Sequence, residues 1–470
     1  MRRSEPLREA YRRASPFPYL AGGGRGAQAR NRGRGDALGA DEVAQYEKSP
    51  DGGFKKRLAG RSLSMARERY DVIVVGAGVV GSALAMALAE RRLSTLVIDV
   101  DLSGRLSSSE KNAGGVRATW WQPVNIALCR ASIAYYQSVA REVGFRQKGY
   151  LWLYDAETWP KALDHVELQR SLKHPIETLS AREVHARVPE IDRLEGIAGA
   201  TFSPEDGLIN SNLLKNHYRE RSRALGAEYL DGVYIYAIRA ERDADARLEC
   251  WHADRPLSDA VLMRMMAQDG PGDAETGHLL NLRAGAIAIT GGAWSANVLK
   301  LLDLPSFSEP IRRQICVVDN RETNFAAYGM IVDTSGVYFH NEGPHILAGY
   351  SPPEEPPGYH FQYDGEQFFQ NEIWPRMYAR MSCCERMRHV TGWAGLYSVT
   401  PDRSAIIGCA APRVYEAHGF SGRGVMQSYG AAKALAGLIA DGRYPESLDA
   451  SALSRERFAD DRLVREELHI

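Results

Sequence analysis

Cysteine is scarce in this chain, six residues in 470 (Cys129, Cys250, Cys316, Cys383, Cys384 and Cys409), and no pair stands at a C-x-x-C or other metal-ligand spacing. That excludes a disulfide-framed secreted scaffold, leaves no metal site to expect, and fits a reduced, cytoplasmic setting. A surplus of charge is also missing. The formal net charge is −1, whereas a nucleic-acid-binding domain is strongly basic, so no nucleic-acid partner is expected. No repeat of solenoid length is visible. No apolar h-region precedes Met65, so no secretory signal is expected despite the Arg2-Arg3 pair. The eighteen-residue run from Val72 to Ala89 is apolar enough to raise a membrane span, but spaced glycines split it and Glu90, Arg91 and Arg92 follow at once. No integral membrane segment is expected.

What is present is an ordinary globular composition, 44% apolar, on a chain long enough for two or more folding units. Charge is unevenly spread. Residues 1–70 hold sixteen Lys/Arg against eight Asp/Glu, leaving the remaining 400 residues at about −9. Residues 1–64, with AGGGRGAQARNRGRG, show little apolar periodicity and read as a disordered tail. MARERYDVIVVGAG also makes Met65 a natural start, with the upstream segment an over-extended reading frame or an Arg-rich targeting segment as alternatives.

The most informative stretch is DVIVVGAGVVGSALAMALAERRLSTLVID, Asp71 to Asp99. It reads as strand, glycine turn, helix and second strand ending on a carboxylate, which is a dinucleotide site. Gly76 permits the tight turn, Gly78 lets a pyrophosphate approach the backbone, and Gly81 removes a side chain where helix and strand pack closely. The helix start supplies N–H groups and a positive dipole end, and Asp99 stands where the ribose hydroxyls need an acceptor. The motif alone does not separate FAD from NAD.

Further along, a helix is expected over Val124–Val143, a strand over Gly149–Tyr154, helices over Ser180–Arg187 and Asn212–Leu225, and a strand over Val233–Ile238. Residues 243–277 read as an insertion between strands. Its VLMRMMA is either a cofactor-facing methionine cluster or a small packing helix. AGAIAITGGAWS places a buried strand at Ala286–Thr290 before a Gly291-Gly292 turn beside a ligand. Strands QICVV, GVYFH and HILAGY follow, and PPEEPP is a rigid loop.

Near the C-terminus stand GLYSVTPDRSAIIG, Gly395 to Gly408, and HGFSGRGVMQSYGAAKALAGLIADG, His418 to Gly442. With the first glycine motif, the SSSEKNAGGVR loop and TGGAWS, these blocks resemble, in family order, the D-amino-acid oxidase and sarcosine oxidase family of FAD enzymes. WPRMYAR, WAGLY and PPEEPP are most similar to a mitochondrial branch of it that serves in respiratory complex I assembly. The resemblance implies an α/β fold, a Rossmann-type FAD domain interleaved with a mixed-sheet α+β substrate domain. The FAD domain would take residues 65–148, 201–312 (with the insertion 243–277) and 395–470, and the substrate domain residues 149–200 and 313–394.

The resemblance also carries cofactor contacts onto this sequence. They fall on Gly76, Gly78, Val79, Val80, Gly81, Asp99, Val100 and Asp101; on Asn112, Ala113, Gly114 and Gly115; on Val233, Thr290, Gly291, Gly292 and Trp294; and on Gly395, Gly422, Arg423, Gly424, Val425 and Met426. Some relatives hold flavin covalently, through a cysteine where Gly395 stands or a histidine where Lys111 or Asn112 stands, so FAD is expected to be non-covalent here. The oxygen-activating lysine of the family falls on Leu347 or Ala348, which tilts the expectation toward a dehydrogenase passing electrons to a quinone or flavoprotein rather than to O2. A carboxylate-binding lysine of the family falls on Met426, and Arg423 replaces a histidine.

Three residues are expected to be catalytic. Arg117 either forks a substrate carboxylate or caps its loop. Tyr338 matches a tyrosine over the flavin, and His340, two residues on and on the same strand face, either accepts an amine proton or is a satisfied core histidine. Trp120 and Trp121 either wall an aromatic substrate pocket or pack the core. The implied reaction oxidises the C–N bond of an N-substituted glycine, D-amino or imino acid by hydride transfer to flavin N5. The alternative is an FAD-bound assembly factor with little turnover.

Overall fold

The computed structural model describes residues 67–267, 270–272, 275–320 and 323–468, with the backbone of Glu47–Lys48 and Phe54–Lys55, which pair antiparallel. The rest of the expected tail, residues 1–64, lies outside the described residues. In chain order the elements that position the site are β1 (Tyr70–Val75), α1 (Val79–Glu90), β2 (Thr95–Ile98), α2 (Pro123–Ser138), β3 (Tyr150–Tyr154), β4 (Glu177–Leu179) and β5 (Gly199–Ser203). They continue with α3 (Ser211–Ala224), β6 (Glu228–Leu230), β7 (Val233–Arg239), β8 (Ala246–Ala253), α4 (Asp259–Met266), β9 (Gly277–Ile289) and β10 (Glu309–Asp319). The last are β11 (Met330–Val332), β12 (Tyr338–Glu342), β13 (His345–Tyr350), β14 (Arg388–Val399), β15 (Ile406–Ala411), β16 (Val414–His418) and α5 (Gly424–Asp441).

Two eight-stranded sheets carry the architecture. The first runs β6–β2–β1–β9–β8–β7, with β16 also on β9 and β15 on β16. Strands β6, β2, β1, β9 and β16 are mutually parallel, and β-branched runs such as VIVV suit their burial. The thirteen-residue β9 joins two regimes: residues 277–284 pair antiparallel with β8, and residues 284–289 run parallel to β1 and β16. Residues 243–277, expected as an insertion, thus contribute β8 as an interior strand of a three-stranded antiparallel wing. The second sheet runs β14–β10–β13–β12–β11–β3–β5–β4 and is antiparallel except for β11 beside β3. The α/β architecture with a mixed second sheet is the one anticipated from the sequence.

Helix α1 is buried along nearly all its length, Val79 to Ala89, because it lies against the sheet with α3 and α5 packed on it. A helix apolar all round belongs in such a core. Gly430 lets α5 approach α2, since a Cβ there would lie 2.4 Å from the Leu128 carbonyl oxygen. No helix among the described residues is long and apolar enough to cross a membrane. The single helix expected over Val124–Val143 is two: α2 ends at Ser138, Val139 leaves helical geometry, and Ala140–Val143 form one further turn closed by Gly144 at φ +63°.

Candidate active site

A cleft with a volume of about 230 Å³ runs along the C-terminal ends of the parallel strands, where open α/β sheets bind ligands. At one end, Gly76 turns at φ +103°, and a Cβ on it would lie 2.8 Å from the Thr290 carbonyl oxygen. Because β1 and β9 are neighbours, the two glycine blocks, over two hundred residues apart, form one surface. A Cβ on Gly81 would fall 1.9 Å from the Gly76 oxygen and 2.5 Å from Thr290 Oγ1, whose hydroxyl donates to the Val75 and Gly76 carbonyls. Gly81 therefore stands behind the cleft and closes α1 on the turn. Gly78 caps α1 without a side chain, and Ser109 Oγ accepts the Val79 N–H at 3.0 Å.

Asp99 lines the cleft, its carboxylate accepting the Ala77 and Asp101 N–H groups. Burial raises its pKa against those two donors. Asp101 also lines the cleft, but its oxygens bind Ser103 and Arg105 and fix the following turn. Val79, Val80, Val100, Asn112, Val233, Thr290, Gly291, Gly292 and Trp294 all face the same cleft. Trp294 stacks near Tyr359 and Phe361.

The far end of the cleft is the 419–424 loop. Gly419, Ser421 and Gly422 all adopt positive φ, and Gly422, Gly424 and Val425 line the cleft. A Cβ on Gly422 would lie 2.4 Å from the Tyr397 ring, so only glycine brings this loop against β14. The eighteen-residue α5 starts at Gly424 and aims its N-terminus at the cleft. A helix start with exposed N–H groups stabilises an anion placed there.

Several expected cofactor residues stand elsewhere. Ala113 and Gly114 line a second cavity, the Gly114 N–H donating to Asn112 Oδ1. Gly115 packs on Tyr150, and Gly395 packs on the Lys111 side chain, 2.9 Å from where its Cβ would be. Met426 is core, and only the backbone of Arg423 belongs to the loop. Its guanidinium turns inward, 2% exposed and 4.3 Å from the Trp120 ring centroid, with none of its three nitrogens hydrogen-bonded. Burial lowers its pKa to about 10.

Of the three expected catalytic residues, Arg117 and Tyr338 lie in a buried aromatic cluster under the second sheet, and His340 lines the second cavity. Tyr338 is buried across Gly349, its phenol pushed far above its usual pKa by desolvation. It meets Tyr397, over which Arg313 lies at 5.5 Å, and Tyr397 also lines the cleft. Arg117, 1% exposed, lies 3.5 Å from the Trp120 ring centroid and 4.4 Å from that of Trp152. It donates to the Thr119 and Leu468 carbonyls and leaves Nε unbonded. Arg117 thus caps its loop, with one donor left over. His340 is on the same strand face as Tyr338 but reaches the backbone, Nε2 at 2.7 Å from the Ala113 oxygen and Nδ1 at 3.0 Å from the Asn341 oxygen. Burial lowers its pKa. Trp121 stacks on His165.

Met265 and Met266 of α4 line the cleft, so the VLMRMMA helix both packs and faces it. Sequence reasoning missed three parts of this site. On α3, Arg219 donates to the Ala77 and Leu102 carbonyls and Ser82 Oγ, bracing the glycine turn, while Lys215 pairs with Glu110. The C-terminal strap of residues 464–468 was the second. Glu466, 2% exposed, accepts the Trp121 and Gln122 N–H groups and the Asn125 amide, and Leu468 enters the cluster of Tyr338 and Trp152. Third, the strap is anchored by Asp402 of the TPD motif, gripped by Arg457. The one available signal was the density of polar residues on α3 and the strap, which has no spacing code. Among the described residues no three His, Cys, Asp or Glu converge as a metal site.

The chain matches the family described as FAD dependent oxidoreductase (DAO) over residues 71–438. It is 27% identical over 426 residues to FAD-dependent oxidoreductase domain-containing protein 1 of Xenopus laevis, covering 83% of each chain. With the Mus musculus protein of that name it is 24% identical, covering 89% of this chain and 91% of the relative. In structure it is similar to L-proline dehydrogenase from P. horikoshii, with TM-score 0.71, 20% identity, and 84% of this chain and 99% of the other covered. Glycine oxidase from Geobacillus kaustophilus superposes with TM-score 0.66 at 20% identity, over 83% and 99%.

Proposed function

The chain belongs to the family of FAD-dependent oxidoreductases, and from that premise we propose that it oxidises the C–N bond of a small amino or imino acid with FAD held non-covalently. The cleft suits that cofactor. Its glycine turn fits a pyrophosphate no Cβ would allow, Asp99 offers ribose acceptors, and the α5 N-terminus faces the opposite end. Bound FAD supplies the two-electron acceptor. Neither Gly395 nor Lys111 and Asn112 offers the cysteine or histidine of a covalent link.

One observation carries the substrate class. Tyr397 lines the cleft and meets a buried aromatic cluster around which the cations Arg117 and Arg313 have Nε donors without a hydrogen-bond partner. Such donors beside the cleft draw a carboxylate and orient the carbon beside it. The buried cations Arg117 and Arg313 disfavour an ammonium beside them. A substrate is therefore favoured with its amine neutral, the form that releases hydride. Tyr338, Tyr150 and Trp152 exclude water from the same space. Because β13 carries Leu347 and Ala348 and no lysine, we read the enzyme as a dehydrogenase more than an oxidase.

The test is an anaerobic screen of N-methyl, D- and cyclic amino acids for loss of the oxidised flavin absorption. One class should bleach it, with slow peroxide formation on admitting air. A flavin left oxidised by every compound would overturn the reading in favour of an FAD-bound scaffold. Acid precipitation should release the yellow colour into the supernatant.

A further inference from the structure

A second cavity of about 510 Å³ lies across the Asn112–Gly114 segment from the cofactor cleft. That volume is in the range of small-molecule sites, about 300–1,000 Å³. Asn112 lines both cavities, and the partition beyond it offers only the methyl group of Ala113 and the bare backbone of Gly114. The partition is fixed from both sides. His340 of β12 meets the Ala113 carbonyl at 2.7 Å, and the Gly114 carbonyl accepts the Ile209 N–H at 2.8 Å. Among the described residues the inner walls are largely apolar, formed by Phe145, Leu208, Ile209 and Leu347, with Leu213, 44% exposed, at the side. Charge is confined to Arg141, Arg146 and Glu342. Arg146 and Glu342 pair at 3.4 Å, and Arg141 is exposed with no ion-pair partner among the described residues. The N-terminus of the fourteen-residue α3 faces the same space through Asn210 and Ser211.

We propose that this second cavity receives a quinone-class electron acceptor, one partition away from the cofactor. This rests on the dehydrogenase reading above. A flat, neutral ring suits the apolar walls, and the space is too small for an inserted protein domain. Reduction places negative charge on the quinone oxygens, which Arg141 and the α3 N-terminus stabilise. The quinone gains two electrons and two protons and leaves as the hydroquinone. Both electrons and one proton come from the reduced cofactor, and the second proton comes from water at the open rim. The acceptor then does not compete with a substrate held beside Tyr397 and Arg117.

The experiment uses the full chain with FAD bound and a tail-less ubiquinone analogue. Equilibrium dialysis of the oxidised holoenzyme should find one quinone site per chain. Leu213→Trp and Ala140→Trp, both away from the cofactor cleft, should weaken that binding at least tenfold without lowering FAD content. With the cofactor reduced by light, so that no amine substrate is needed, reoxidation should saturate with quinone in the parent protein. Its half-saturation concentration should rise at least tenfold in each variant, while reoxidation by ferricyanide stays unchanged. Unaltered quinone binding in both variants would overturn the proposal, as would competition between the quinone and a carboxylate bound beside Arg117. The substrate reading fails separately: a flavin that no amine bleaches, yet that quinone reoxidises through this cavity, refutes only the former.

Discussion

The cofactor cleft is built from backbone and the aromatic cluster beside it from side chains. The cleft is shaped by glycines where a Cβ would strike a carbonyl or a ring, by strand ends, and by the first turn of α5. The cluster is made of Arg117, Trp120, Tyr150, Trp152, Tyr338 and Tyr397, held by a strap from the C-terminal end. Backbone sites tolerate almost no substitution, because there is no side chain to move aside. Side-chain sites are graded: each member can be removed alone with a cost of its own.

The sharpest way to break that contrast is Gly81→Val. The added Cβ would overlap the Gly76 carbonyl, and backbone cannot yield without opening the turn. Purified protein should carry essentially no FAD, measured as flavin per chain. A Gly81→Val protein with full flavin content would show that helix and turn are not rigidly closed.

That contrast also decides what was legible. Gly76, Gly78, Gly81, the 290–292 turn and the 419–424 loop announce themselves because a backbone site is written in local spacing. The bracing of Ala77 by Arg219, the Ser109 cap and the Glu466 clamp join residues far apart in sequence. No periodicity encodes them. His340 shows the same gap from the other side, since period two correctly places it beside Tyr338 yet says nothing of the backbone carbonyls that lie against its two nitrogens. The helix broken at Val139 was invisible because the apolar pattern continues through it.

The next largest effect falls on the strap. Asp402 and Arg457 are buried and bonded twice, and removing one partner of such a pair costs about 3–5 kcal/mol. Asp402→Asn should lose stability on that scale in urea denaturation, with the flavin spectrum of the surviving folded protein unchanged. Burial raises the Asp402 pKa, but Arg457 outweighs it and leaves it below the usual range. With the folded value depressed, its contribution is full above about pH 4 and is lost as pH falls through that folded value. The substitution removes that acid-side slope, so a parent and variant with parallel pH profiles would refute the account.

In the aromatic cluster, Arg117→Met should weaken a bound carboxylate by about 1.5–3 kcal/mol, roughly ten- to a hundredfold, as expected for hydrogen bonds to a charged group. Perturbation of the flavin spectrum by benzoate or anthranilate reads this directly. FAD content should not change, because Arg117 does not line the cleft. Equal affinity in the variant would mean that the Thr119 and Leu468 carbonyls use up the guanidinium, and that Arg313 holds the carboxylate.

The smallest effect tests whether backbone and side chain cooperate at one point, Arg423. Its backbone ends the cleft loop and its side chain stacks on Trp120 beside Arg117, so one residue belongs to both regions. A buried guanidinium without a hydrogen bond retains its field at short range, because neither solvent nor a bonded anion screens it. It sits at the N-cap of α5 and adds to the positive end of that helix. Together they favour a reduced cofactor carrying negative charge. Arg423→Met keeps much of the bulk against Trp120 but removes the charge, and should lower the midpoint potential of bound FAD by about 30 mV, a tenfold change for a two-electron couple. Arg423→Lys should restore most of it. A potential unmoved in Arg423→Met would mean that the loop backbone and helix dipole alone set the potential, and that the cation serves only to pack Trp120.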